Sequence, residues 1–183
     1  MSGERMPKKL SKLPKRIAIT GPESSGKSTL ARKLASYYHT TWVGEYAVDY
    51  LAVNGPDYSM KDVLQIANRQ LEYENNLAGV ASKYLFCDTD FLVLKIWCEV
   101  VFGEVPLWIE KQLKNHIYDL YLLCSPDLPW KPGPFRENPN DREYLYLLYL
   151  KQLEGRKLNF KIVTGNGSDR FKNALHFVEA IEL

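Results

Sequence analysis

Lys15-Arg16-Ile17-Ala18-Ile19-Thr20 runs directly into Gly21-Pro22-Glu23-Ser24-Ser25-Gly26-Lys27-Ser28-Thr29, and the reading of this stretch decides the fold. The first six residues are an apolar, β-branched run of strand length, and the rest fits G-x-x-x-x-G-K-[ST]. Gly21 and Gly26 permit backbone torsions that turn successive N–H groups inward, so Glu23, Ser24 and Ser25 form a cradle for phosphate oxygens. A helix opening at Lys27 aims its positive end at the same anion. Lys27 supplies a mobile cation for β- and γ-phosphates, Ser28 a hydroxyl for Mg²⁺, and Thr29 continues the first turn. Strand, glycine-rich turn and helix in this order predict a nucleoside triphosphate site.

Outward from this loop, short β-type runs alternate with helical stretches. KRIAIT (15–20), TTWVG (40–44), YLFCDT (84–89), DLYLLC (119–124) and FKIVT (160–164) read as strands, most of them apolar enough for burial on both faces. Helices are predicted over 27–38, with Leu30, Leu34 and Tyr37 on one face, over 59–82, over 91–102, which is apolar almost all round, and over 169–182 behind Ser168 as N-cap. This alternation predicts an α/β fold, a five-stranded, mostly parallel sheet with helices on both faces. Residues 125–142 (SPDLPWKPGPFRENPNDR) carry Pro126, Pro129, Pro132, Pro134 and Pro139, half of the ten prolines, and are predicted to form a loop acting as a lid.

Carboxylates stand at two predicted strand ends, where open α/β sheets hold their ligands. Glu45 follows the second strand and Asp88 and Asp90 the third. Asp88 takes the place of a carboxylate that holds Mg²⁺; Glu45 or Asp90 is positioned to receive or orient the proton of an acceptor hydroxyl. Acids at helix starts are also ordinary caps, so the pattern alone leaves both roles open. Arg136 and Arg142, in or just after the lid, suit the charge spread over transferring phosphate oxygens. Arg170, after the last strand, is a candidate to stack on adenine. Trp42 and Trp130 are candidate ligand contacts, Trp97 reads as core, and Trp108 as core or interface.

Composition narrows the field. A chain of 183 residues, 45% hydrophobic and 25% charged, fits one domain with a proper core. We therefore expect a basic leader over 1–14 and a single domain over 15–183. With 24 Lys+Arg against 22 Asp+Glu, the net charge of +2 argues against a general nucleic-acid binder. Residues 1–16 concentrate that charge: Arg5, Lys8, Lys9, Lys12, Lys15 and Arg16 stand against Glu4, +5 in all and −3 for the remainder. There is no secretory h-region and no apolar run long enough to span a membrane. Cys87, Cys98 and Cys124 lack CxxC spacing and read as reduced core thiols of a cytoplasmic protein. His39, His116 and His176 are too scattered for a zinc site or an HxGH loop. GTPases need an N-K-x-D element, and Thr164-Gly165-Asn166-Gly167 is not one.

Taken together, TGPESSGKST, VGEYA, DTDF, YDLYLL-x-SPDLPW and the arginine six places beyond that tryptophan resemble the ribosylnicotinamide kinases, the NadR-type kinase domain of bacterial NAD salvage. The resemblance covers about residues 15–180. It implies a P-loop kinase fold and ATP·Mg²⁺-dependent phosphorylation of the 5′-hydroxyl of nicotinamide riboside. By position it gives Lys27 and Ser28 to ATP and Mg²⁺, Asp88 to the metal, and Glu45, Tyr46 and Asp90 to the acceptor. Trp130 would lie near the acceptor ring, and Arg136 and Arg142 would close on the phosphates. Two positions depart from the family: Val48 stands where it usually has arginine, and Lys131-Pro132-Gly133-Pro134-Phe135 replaces a commonly acidic lid segment. The length predicts a kinase unit without the adenylyltransferase and DNA-binding portions of other members. Two alternatives stay open, a kinase for another nucleoside or small alcohol and a nucleotide-sensing ATPase module, as does an oligomeric assembly.

Overall fold

Five parallel strands lie in the order β2-β3-β1-β4-β5 in a computed structural model that describes residues 13–132 and 140–181. They are β1 (Lys15–Thr20), β2 (Trp42–Val43), β3 (Tyr84–Asp88), β4 (Leu120–Cys124) and β5 (Phe160–Val163). Strand β1 is central, paired with β3 from Lys15↔Tyr84 to Ile19↔Asp88 and with β4 from Ile17↔Leu120 to Thr20↔Leu123. Every residue of β3 and β4 is buried, as continuous apolar runs in a sheet covered on both faces require. The predicted strands are all present; β2 is trimmed to two residues at the sheet edge.

Side-chain parity sorts the core into two layers. Ile17, Ile19, Phe86 and Leu122 face helices α1 (Lys27–Tyr37) and α7 (Gly167–Ala180). Ala18, Val43, Leu85, Cys87 and Leu123 face α2 (Tyr46–Asn54), α3 (Met60–Ala78), α4 (Phe91–Phe102), α5 (Leu107–Asn115) and α6 (Arg142–Gly155). Helices α2, α5 and α6 are additions to the sequence reading. Helix α1 buries Leu30, Ala31, Leu34 and Ala35, whereas Tyr37 is turned outward and packs edge-on against Tyr38 and Phe171. Asn166, not Ser168, caps α7, which consequently starts two residues early and buries Arg170, Ala174 and Val178.

Helix α3 begins at a capping box: the Ser59 N–H and hydroxyl both donate to Asp62 Oδ2, at 2.8 and 2.6 Å. It ends at Ala78, four residues before the predicted end, and from Gly79 the chain turns back on Asn76 and Leu77. Two buried polar residues of α3 pin the sheet. Gln70 accepts from the Tyr46 N–H at 2.8 Å and donates to Gly44 O at 3.0 Å, fixing the segment that carries Glu45. One turn on, Glu74 accepts from Arg16 at 3.0 Å and Tyr118 at 2.7 Å and bonds His116 at 2.6 Å, closing the opposite end of β1. Cys87, Cys98 and Cys124 are buried free thiols. Among the described residues no helix is long and apolar enough to cross a membrane.

Candidate active site

Between β1 and α1 the chain wraps a cradle. Gly21 (φ 128°) passes so close to β4 that a Cβ would meet Cys124 O at 2.8 Å, and Gly26 caps α1 at φ 82°. No side-chain oxygen caps α1, so its first-turn N–H groups are left for a ligand. The Lys27 ammonium donates to Pro22 O at 2.9 Å and the Ser25 hydroxyl to Pro22 O at 2.7 Å. From this cradle a cavity of about 450 Å³ extends across the α2–α4 side of the sheet. Gly21 through Thr29 form one end, with Arg32 and Glu45; Val48, Leu51, Tyr58, Trp97, Val100 and Val101 form an apolar, aromatic wall, and α6 contributes Leu145 and Tyr149. Trp97 Nε1 donates to the Tyr58 hydroxyl at 2.9 Å and their rings meet edge to face.

The two carboxylates of Asp88-Thr89-Asp90 are each 1% exposed. Asp88 lies beside the phosphate loop: burial pushes its pKa up, against the pull of the Lys27 ammonium, the Ser28 hydroxyl and the Arg32 guanidinium. Its Oδ1 has no hydrogen-bond partner. Asp90 divides its work between two oxygens. Oδ1 caps α4, accepting from Leu92 N at 2.6 Å and Val93 N at 3.0 Å, while buried Oδ2 is unpartnered. Desolvation pushes its pKa up to about 6, opposed by those two N–H groups and by the nearby Thr20 hydroxyl. Capping and chemistry are therefore compatible at this residue. Thr89 between them holds φ 83°, a strained conformation for a β-branched side chain, and thereby turns its neighbours apart.

The remaining expectations are redistributed. Trp42 pairs in register with Phe86 and so points to the α1 side, beneath the Arg32 guanidinium at 5.8 Å and off the cavity wall. Tyr46 packs on Tyr50 and Tyr73 and is likewise outside the lining. Trp130 is tied to the phosphate loop rather than the acceptor wall: its Nε1 donates to Glu23 at 3.0 Å, while Ser24 Oγ bonds both N and O of Lys131. Arg142 opens α6 just after the proline-rich segment, one of the two placements expected, and donates to Leu128 O at 2.9 Å. Arg136 lies outside the described residues, as does the leader through residue 12.

Arg170 presents no face for stacking. It is 5% exposed and donates to Asp127 at 2.7 Å, Gly165 O at 2.8 Å, Ser25 O at 2.7 Å and Ser125 O at 2.9 Å. It ties the phosphate loop, the segment after β4 and the loop after β5 to one guanidinium. Among the cavity-lining residues, Tyr58, Val100, Val101 and Tyr149 were not singled out from the sequence, and Trp97, which packs against the core as expected, also lines the cavity. Trp97, Val100 and Val101 repeat at i, i+3 and i+4 on a largely apolar helix, a signal identical to that of core packing.

A parallel sheet with the phosphate loop on its central strand and a buried carboxylate closing the next defines a P-loop protein of kinase architecture. More narrowly, the chain belongs to the family described as AAA domain, which matches residues 16–170. Over 173 residues it is 30% identical to the trifunctional NAD biosynthesis/regulator protein NadR of Escherichia coli (strain K12), a match covering 91% of this chain and 41% of that protein. The chain thus spans about two fifths of that relative's length. Two crystal structures of NadR protein share its fold. The complex with NR superimposes with a TM-score of 0.83 at 22% identity, over 92% of this chain and 52% of that one. The complex with NAD and AMP-PNP gives 0.78 at 21% identity, over 92% and 49%.

Proposed function

We propose that this protein is an ATP-dependent kinase that phosphorylates the 5′-hydroxyl of nicotinamide riboside to give nicotinamide mononucleotide. The observation that carries the reading is the cavity itself: a phosphate cradle at one end, an apolar aromatic wall at the other, and the Asp88–Asp90 pair buried behind the cradle. The NadR relatives, solved with NR and with the ATP analogue AMP-PNP, support both ligands. A pyridinium ring suits the faces of Trp97 and Tyr58, whose π-clouds attract a delocalised cation. The three buried thiols support a reducing, cytoplasmic setting, and residues 15–183 act as one kinase unit.

In the transfer, the 5′-oxygen bonds to the γ-phosphorus as the bond from that phosphorus to the β,γ-bridging oxygen breaks, and ADP leaves with the electron pair. The unpartnered Oδ2 of Asp90 receives the hydroxyl proton, and its pKa of about 6 suits a base at neutral pH. Lys27 follows the charge migrating onto the leaving oxygen, and Glu45 orients the acceptor from the cavity wall. The Ser28 hydroxyl and the unpartnered Oδ1 of Asp88 fit a magnesium ion arriving with the triphosphate. That ion, when bound, supplies charge neutralisation across the β- and γ-oxygens.

ADP release measured with ATP·Mg²⁺ and nicotinamide riboside, against other nucleosides, tests the reading. Stimulation by the riboside with mononucleotide detected by mass is expected. Stimulation by another nucleoside alone replaces the substrate, and none by any nucleoside overturns the kinase reading.

A further inference from the structure

Helix α6 brings to the cavity a side chain that the reaction above does not use. Tyr149 is 5% exposed and continues the buried stripe of Leu145 and Leu153, yet it lines the cavity together with the phosphate loop. Its hydroxyl has no hydrogen-bond partner among the described residues. The acids whose charge acts on it are Asp90, Glu45 and Glu23, drawn from three different segments. Burial and these carboxylates push its ionisation well above the ordinary tyrosine range, so the O–H keeps its proton throughout the working pH range. The group is thus a neutral donor set among acceptors, at the junction of the phosphate loop and the Glu45 wall.

That junction is where the sugar of an acceptor must pass. A nucleoside whose base rests on Trp97 and whose 5′-carbon reaches the phosphate loop spans the cavity with its ribose in between. Each ribose hydroxyl offers one proton and two lone pairs. Carboxylates such as Glu45 can take the proton but cannot satisfy the lone pairs, whereas a phenol can. Resting on the nicotinamide riboside reading, we infer that Tyr149 is a substrate-binding residue whose hydroxyl donates to the 2′- or 3′-oxygen of the acceptor, selecting ribosides over deoxyribosides.

Steady-state kinetics with nicotinamide riboside and its 2′-deoxy and 3′-deoxy analogues test this in the wild type and in Tyr149→Phe. The wild type should lose about tenfold in kcat/KM on one of the two analogues. Tyr149→Phe should lose about the same on the riboside, keep the wild-type KM for ATP and Tm, and no longer distinguish the riboside from that analogue. A variant that still discriminates as the wild type does overturns the assignment. So does a wild type indifferent to both deletions, a result that needs no variant. No turnover of any nicotinamide nucleoside by the wild type overturns instead the reading on which the assignment rests.

Discussion

Asp90→Asn is expected to make the protein more stable and far less active, and the structure sets the size of both effects. The carboxyl is 1% exposed and desolvation lifts its pKa from 3.8 to about 6. That difference corresponds to about 3 kcal/mol of native-state destabilisation at pH 7.5, because the folded protein holds a charge that water would accommodate better. Asparagine is isosteric and neutral, and its Oδ1 can still accept from Leu92 N and Val93 N. Those bonds lose their charge assistance, at a cost of about 1 kcal/mol, which leaves a net gain of about 2 kcal/mol.

The gain should depend on pH in one direction only. Between the unfolded pKa of 3.8 and the folded value of about 6, the native state binds a proton that the unfolded state does not, so wild-type stability falls as pH rises. Above that window the penalty is complete; near pH 4.5 it shrinks to about 1 kcal/mol, which the weaker cap cancels. Urea denaturation of both proteins at pH 4.5 and 7.5 checks this. Turnover should drop by 10²- to 10⁴-fold, the usual worth of a positioned base. A variant no more stable than the wild type at pH 7.5, or a stability gap that ignores pH, would refute the reasoning.

Three further outcomes are expected. Lys27→Ala should lower turnover by about 10²- to 10³-fold, since its ammonium follows the migrating charge. Its Tm should fall only slightly, because the fold loses the side chain's bond to Pro22 O and the ammonium's attraction for buried Asp88, whose carboxyl can take up a proton instead; a large fall in Tm would make the lysine structural. Arg170→Met should destabilise by about 3–5 kcal/mol in urea, leaving Asp127 and three carbonyls without their donor, and a loss below 1 kcal/mol would dissolve the knot. Trp130→Phe removes the donor to Glu23 and should raise the KM for ATP, whereas Trp97→Ala should raise the KM for the acceptor; a reversed pattern would exchange their places.

How far the sequence could be read follows from what each element's burial demands. The phosphate loop and the strands were legible because each imposes a local pattern: glycines at positive φ, and unbroken apolar runs between two helical layers. Helix α6 was hidden by its own composition. Tyr144-Leu-Tyr-Leu-Leu-Tyr-Leu150 is apolar all round, so no stripe marked Tyr149 as facing a cavity. Trp97 was concealed in the same way, since an apolar ligand wall and a core face use the same residues. Trp42 turned on register: strand side chains alternate, and pairing with Phe86 sends this one to the α1 layer. Arg170 was read as a stacking candidate because its acceptors are mostly backbone carbonyls, which leave no trace in side-chain spacing.

The knot around that arginine has a thermodynamic consequence for ligand capture. Phosphate loops are often thought of as flaps that gather around the nucleotide, losing freedom as they do so. Here the Ser25 carbonyl is tethered through one ion to Ser125, Asp127 and Gly165. The cradle is set before any triphosphate arrives, so little disorder remains to be lost on association. Calorimetry should then find the binding entropy of nucleotide little changed by rigidifying solutes, and much less favourable once Arg170 is shortened and the three segments drift apart.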